Sequence, residues 1–207
     1  MLRYLLYPFL AYRSVLYPTL LVSAVVVPCW LLLRLYRLRT SAQRSSLGRE
    51  ILLLSFVVYL CGVAAATLNP NDRARMRTPN MPGIELRPRL ATLVCSSPKL
   101  PSGSSARFFC LYNARGNVLL FFPLGIFVPL LWRRLRFRSV ILIAVALSST
   151  VEIAQYVSQA WGSYRLTDVN DVILNTLGAS LGLLVVSMLR SLLRSSPLLT
   201  GSKPSAR

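Results

Sequence analysis

Residues 172–189 read Val-Ile-Leu-Asn-Thr-Leu-Gly-Ala-Ser-Leu-Gly-Leu-Leu-Val-Val-Ser-Met-Leu, without one charged side chain. A hydrocarbon core of about 30 Å is crossed by about 20 mostly apolar residues in helical form. Lipid offers no partner for backbone N–H and C=O groups, so such a run must satisfy them within itself, as a helix does. Four further runs meet this standard, at 15–33, 51–68, 118–132 and 139–161. The third is short and begins at Asn113 if the polar turn before it is included. The expected fold class is all-α, a polytopic membrane bundle of about five helices. It divides the chain into an N-terminal interfacial segment (1–14), a single transmembrane domain (15–189) with one sizeable outer loop (69–116), and a basic cytoplasmic tail (190–207).

The composition agrees. Hydrophobic residues make up 54% of the 207 and charged residues 14%, with a mean hydropathy of +0.55. A water-soluble domain carries roughly 25% charge to wet its surface, so that class is excluded. The charge present is lopsided: 24 Lys and Arg against 6 Asp and Glu, a net +18 with no His. Such a balance raises nucleic acid as a partner, but the arginines cluster beside apolar runs, at 34–49, at 133–138 and in the tail. That distribution fits membrane lipids and their headgroups, and no nucleic-acid partner is expected.

Arginine-rich short loops are retained in the cytoplasm. With five alternating spans the three clusters fall on one side, which puts the C-terminus inside and the N-terminus, loop 69–116 and loop 162–170 outside. Segment 1–14 reads as an interfacial helix or as an extension of the first span past Pro18. No small-residue cleavage site follows the first apolar run, so a cleaved signal peptide is not expected. Cys29 and Cys61 read as buried apolar side chains. Cys95 and Cys110 share the outer loop and are either a disulfide, if that side is oxidising, or two free thiols.

The scarce acids are the informative feature. Three of the six, Glu152, Asp168 and Asp171, lie within twenty residues. An ionisable group inside a span costs about 2.5–3.5 kcal/mol on insertion scales and is a functional candidate by default. Ser148, Glu152, Gln155, Tyr156 and Gln159 form one polar stripe on the fourth helix. Asp168, Asp171 and Asn175 answer at i, i+3 and i+7 on the fifth, on a face that reaches Gly178 and Gly182, where glycine permits close helix approach. Thr167 or Asp168 caps that helix, and Arg165 is the basic residue between the stripes. Asn113 and Asn117 add amides from the third span, where Pro123 is expected to bend the helix and widen a cavity. Against this stands a purely structural reading, in which the same groups cross-link helices and cap their ends.

The segments Asn117-Val-Leu-Leu-Phe-Phe-Pro-Leu-Gly125, Ser149-Thr-Val-Glu152-Ile-Ala-Gln155 and Arg165-Leu-Thr-Asp168-Val-Asn-Asp171-Val-Ile-Leu-Asn175-Thr-Leu-Gly178 resemble the VanZ-like family in order and spacing. The resemblance implies a polytopic bacterial cell-membrane protein, some of whose relatives reduce susceptibility to teicoplanin-type glycopeptide antibiotics. By position it singles out Asn117, Glu152, Gln155, Arg165, Asp168, Asp171, Asn175 and Gly178.

Three functions are compatible with these residues. The first is a non-enzymatic factor that binds an envelope lipid or anionic, lipid-linked cell-envelope precursor in an outward-facing polar pocket, with Arg165 holding the anion and Asn117, Gln155 and Asn175 donating or accepting hydrogen bonds. The second is an intramembrane enzyme on a lipid-linked substrate, with Glu152 as general acid or base and Asp168 and Asp171 orienting Arg165 or holding a divalent cation. No Ser, Cys or His nucleophile arrangement accompanies it. The third, a transporter using Glu152 as a proton site, is weakened by the lack of an inverted repeat. No cofactor is expected, and no metal site is assigned.

Overall fold

The computed structural model describes residues 13–40, 45–68, 84–97, 101–158 and 167–195. They form α1 (Arg13–Thr40), α2 (Leu47–Leu68), β1 (Ile84–Glu85), α3 (Leu90–Leu93), α4 (Ser105–Leu131), α5 (Phe137–Ser158), β2 (Thr167–Asp168) and α6 (Val169–Ser195). Within the described residues, five helices (α1, α2, α4, α5 and α6) are long and apolar enough to cross a membrane. The chain is an all-α polytopic membrane bundle.

Its surface is inverted relative to a water-soluble protein. Leu20, Leu119, Leu142 and Met188 are more than 60% exposed, whereas Ser148, Glu152, Asn170 and Asn175 are buried. With lipid as the outer solvent, apolar side chains lose nothing by facing outward, and polar ones must find partners inside.

The core is built around α4 and α6, which run parallel. Val118 meets Gly178, Gly125 meets Gly182, and the Arg190 guanidinium reaches the Pro129 carbonyl. The approach is backbone to backbone. A Cβ on Gly178 would lie 2.1 Å from the Val118 carbonyl oxygen, one on Gly182 2.1 Å from that of Phe122, and one on Gly125 1.9 Å from that of Ala179. Small residues allow this approach, and van der Waals attraction and Cα–H···O contacts hold it where lipid removes the hydrophobic drive. α5 returns antiparallel against the pair. Phe121, Leu124 and Val128 of α4, Val140, Ala144 and Val151 of α5, and Ala179 and Leu183 of α6 make one core with Val63 of α2.

α2 joins through aromatic side chains. Phe56 stands 5.6 Å from Phe127 and 5.8 Å from Trp132, ring centre to ring centre, and the Tyr59 hydroxyl donates to the Leu120 carbonyl at 2.8 Å. α1 packs on α2 and has no buried residue among those described. It is tied by a bidentate ion pair, Arg34 Nε to Glu50 Oε2 at 2.9 Å and Arg34 Nη2 to Glu50 Oε1 at 2.6 Å.

Several expectations need correction. Cys29 is exposed, because α1 meets the bundle on one face only, whereas Cys61 is buried. The third span starts at Ser105, well before Asn113: the Ser104 hydroxyl accepts from the Arg107 N–H at 3.2 Å and caps the helix. α4 continues through Pro123, and the turn that follows packs closely, with Gly125 against Ala179 and Leu124 buried. Among the described residues α1 runs from Arg13 through Pro18, and α6 continues past 189 to Ser195. Residues 1–12 and most of the tail lie outside the described residues.

Gly182→Ala is expected to destabilise by about 1–3 kcal/mol, because the methyl meets backbone that cannot step aside. Gly116→Ala, on the same bundle with nothing within 4 Å of the new methyl, is expected to be neutral or to stabilise by about 0.5–1 kcal/mol. Thermal unfolding of the detergent-solubilised protein distinguishes the two; equal melting temperatures would contradict the backbone-contact account.

Candidate functional site: the acidic end of the bundle

Opposite the arginine clusters, the start of α6 gathers the acids. Asp168 caps the helix: its Oδ1 accepts the Asn170 N–H at 2.9 Å, satisfying one of the first-turn amides that no helix can satisfy itself. β2, just before, is held twice. It pairs in parallel with β1, Ile84 with Thr167 and Glu85 with Asp168. It also bonds to α5, where the Asp168 N–H donates to Glu152 Oε2 at 3.1 Å and the Thr167 hydroxyl to the Glu152 carbonyl at 3.4 Å. Glu152, 6% exposed, therefore faces protein and clamps the entry to α6.

The rest of the stripe divides by what it touches. Gln155 is buried, and its Nε2 donates to the Thr67 carbonyl at the end of α2, 3.0 Å away. Asn175 Nδ2 donates to Ser148 Oγ at 2.8 Å, joining α6 to α5 one turn from Glu152. Tyr156, placed on the stripe by its spacing, is 46% exposed and belongs to the outer face. Asp171 is half-buried, and Asn113 Nδ2 donates to its Oδ1 at 3.4 Å. Arg165 and Gln159 lie outside the described residues.

Asn117 and Asn175 hold the two unsettled amides. Among the described residues, Asn117 Nδ2 and Asn175 Oδ1 are buried without a hydrogen-bond partner. They are nearly level: Asn117 adjoins Val118, whose carbonyl abuts Gly178, and Asn175 lies one turn before Gly178. Buried polar groups are satisfied in the great majority of cases, so these two atoms are exceptions within the bundle.

Asn170, Thr67 and Thr167 were not singled out as site residues. Asn170 is 2% exposed; its Oδ1 accepts the Arg89 backbone N–H at 3.1 Å, so it anchors the segment before α4 rather than a neighbouring span. Its one sequence signal was its place inside the Asp168–Asp171 motif. Thr67 acts through its carbonyl and carries no side-chain signature for that role. A disulfide between Cys95 and Cys110 links the loop to α4. Cys95 is fully buried and left-handed, at φ 50°, and the preceding α3 packs against α6. An ion pair between Arg89 and Glu85 lies within the segment itself. No group of three or more His, Cys, Asp or Glu that could hold a metal ion occurs among the described residues.

Ser148→Ala leaves both amide atoms of Asn175 without a described partner and is expected to cost about 1–3 kcal/mol. Thr150→Ala removes only an exposed bond to the Ala146 carbonyl and is expected to stay within about 0.5 kcal/mol. Chemical denaturation in mixed micelles measures both; a larger loss for Thr150→Ala would contradict the pairing. For the disulfide, which closes a separation of 15 residues, a Cys95→Ser and Cys110→Ser double variant is expected to lose about 3 kcal/mol, read in the same titration.

The VanZ/LLP1 family model matches residues 51–190, about two thirds of the chain. No curated protein and no solved structure matches it. The match begins in the first turn of α2 and omits α1, the helix that buries no described residue, and it spans the glycine contacts and the acidic-end residues named above. The chain belongs to the VanZ/LLP1 family.

Proposed function

We propose that this VanZ/LLP1 protein is a non-catalytic factor of the bacterial cell membrane that binds an anionic, lipid-linked envelope precursor at the acidic end of its bundle. In this reading that end faces outward, the arginine end and the C-terminus are cytoplasmic, and occupancy alters how glycopeptide antibiotics engage the cell surface. The observation that carries it is the pair of orphaned amides. An amide donor on α4 and an amide acceptor on α6 are kept buried within about one helical turn of each other in height, and Asn175 pairs with Ser148 one turn from Glu152.

The surroundings support an anion at the rim. Arg87, Arg89 and Arg115 are exposed there, and Arg165 supplies the direct contact in this proposal, since guanidinium matches phosphate or carboxylate by paired hydrogen bonds. Glu152 acts by position: its carboxylate holds Asp168, which sets the first turn of α6 and so the height of Asn175. That role needs no nucleophile.

The test is binding of a polyprenyl diphosphate to purified protein in micelles, with teicoplanin susceptibility of cells carrying the same variants. Asn117→Ala with Asn175→Ala, and separately Arg165→Gln, are expected to weaken binding by about tenfold or more, the scale of one or two lost polar contacts. Unchanged affinity in Arg165→Gln protein that is expressed and inserted would overturn the reading. Turnover of the lipid, abolished in Glu152→Gln, would replace it with the intramembrane enzyme.

A further inference from the structure

At the other end of the molecule, a cleft of about 240 Å³ is lined by Arg133, Arg190, Leu193 and Arg194. It lies between the turn after α4 and the last turns of α6. Three of its four lining residues are arginines, and none is an acid. Of the described acids, Glu85, Glu152, Asp168 and Asp171 are at the opposite end, and Glu50 is taken by Arg34. The charge of the cleft is therefore not neutralised by the described protein.

Arg190 is held in place. α4 ends at Leu131, so the carbonyl of Pro129 has no helical N–H to accept, as for every last-turn carbonyl. Arg190 Nη2 donates to it at 2.6 Å, which fixes the side chain and leaves its other N–H groups for the cleft. Arg133 and Arg194 are exposed and have no described hydrogen bond or ion pair. Leu193 is the apolar residue of the lining, and Met188, Leu189 and Leu192 are exposed on the same stretch of α6, outside the cleft.

We propose that this cleft binds the phosphate of an anionic phospholipid, with Arg190 as the fixed donor, Arg133 and Arg194 closing on the headgroup, and an acyl chain along Leu193. A free inorganic anion would use the guanidinium groups but not Leu193. The combination of a basic pocket between spans and an adjoining apolar surface is what a phospholipid headgroup and its chain require.

The experiment uses the full chain in nanodiscs of phosphatidylcholine with a small fraction of phosphatidylglycerol, followed by extraction and quantification of retained lipid. Arg133→Gln with Arg194→Gln is compared with Arg134→Gln with Arg136→Gln, which removes the same charge nearby but outside the cleft. A direct charge-assisted contact to a phosphate contributes about tenfold or more, beyond the diffuse attraction that every near-surface arginine supplies, so the cleft pair is expected to reduce phosphatidylglycerol retention at least about tenfold more than the control pair. Equal losses in the two pairs would show a diffuse basic surface and overturn the site. Displacement of the lipid by millimolar inorganic phosphate would identify a free-anion site and overturn it as well. Melting temperatures of both pairs are expected to match the parent, since neither cleft residue bonds to the described protein, and a selective drop for the cleft pair would count against the proposal by assigning those arginines to the fold.

Discussion

The approach of α4 to α6 at Gly125, Gly178 and Gly182 is the constraint on which the other contacts depend. Carbonyl oxygens of one helix occupy the positions where side chains of the other would begin. In lipid, burial of apolar surface does not drive helices together, so the attraction comes from dispersion and weak polar contacts that decay within an ångström or so. Without the glycines the axes move apart. α5 then has no single groove to fill, and Ser148 loses its level with Asn175. The parallel direction of the pair also brings the start of α6 beside the polar first half of α4, which is how Asn113 comes to meet Asp171.

The two ends of the bundle handle charge in opposite ways. At the acidic end nearly every described polar group serves another: Glu152 holds β2, Asp168 caps α6, Asn170 holds the loop, and Gln155 reaches α2. Such a network is rigid because each unmade bond in a water-poor interior is costly. The few atoms left over, on Asn117 and Asn175, therefore stand out against a satisfied background. At the arginine end the excess is large and internal neutralisation slight, with Arg34–Glu50 the one ion pair there among the described residues.

The site was legible in part. Glu152, Gln155 and Asn175 were marked as inward-facing because a polar group in an apolar helix has few alternatives. Tyr156 shared their spacing and still turned outward, since a phenol at a span end can place its ring in lipid and its hydroxyl at the interface. Asn170 was missed because periodicity describes one helix face packed on another helix, whereas Asn170 is buried by a loop some eighty residues earlier in the chain. The β1–β2 pairing, two residues on each side, is too short to leave any alternation in sequence.

Composition, apolar run length and arginine placement were enough for a polytopic helical membrane protein, because crossing a bilayer imposes a length and a polarity that no neighbour can alter. The ordered motifs were enough for the family, since they record residue types at fixed spacings. Tertiary contact decided the rest. It chose which glycines touch backbone, made Glu152 a clamp on β2, left Asn117 Nδ2 and Asn175 Oδ1 unpartnered, and drew Arg133 from one turn together with Arg190 and Arg194 from the end of another helix. These outcomes depend on the relative height and rotation of packed helices, quantities set by contacts between segments far apart in the chain and absent from the pattern within any one of them.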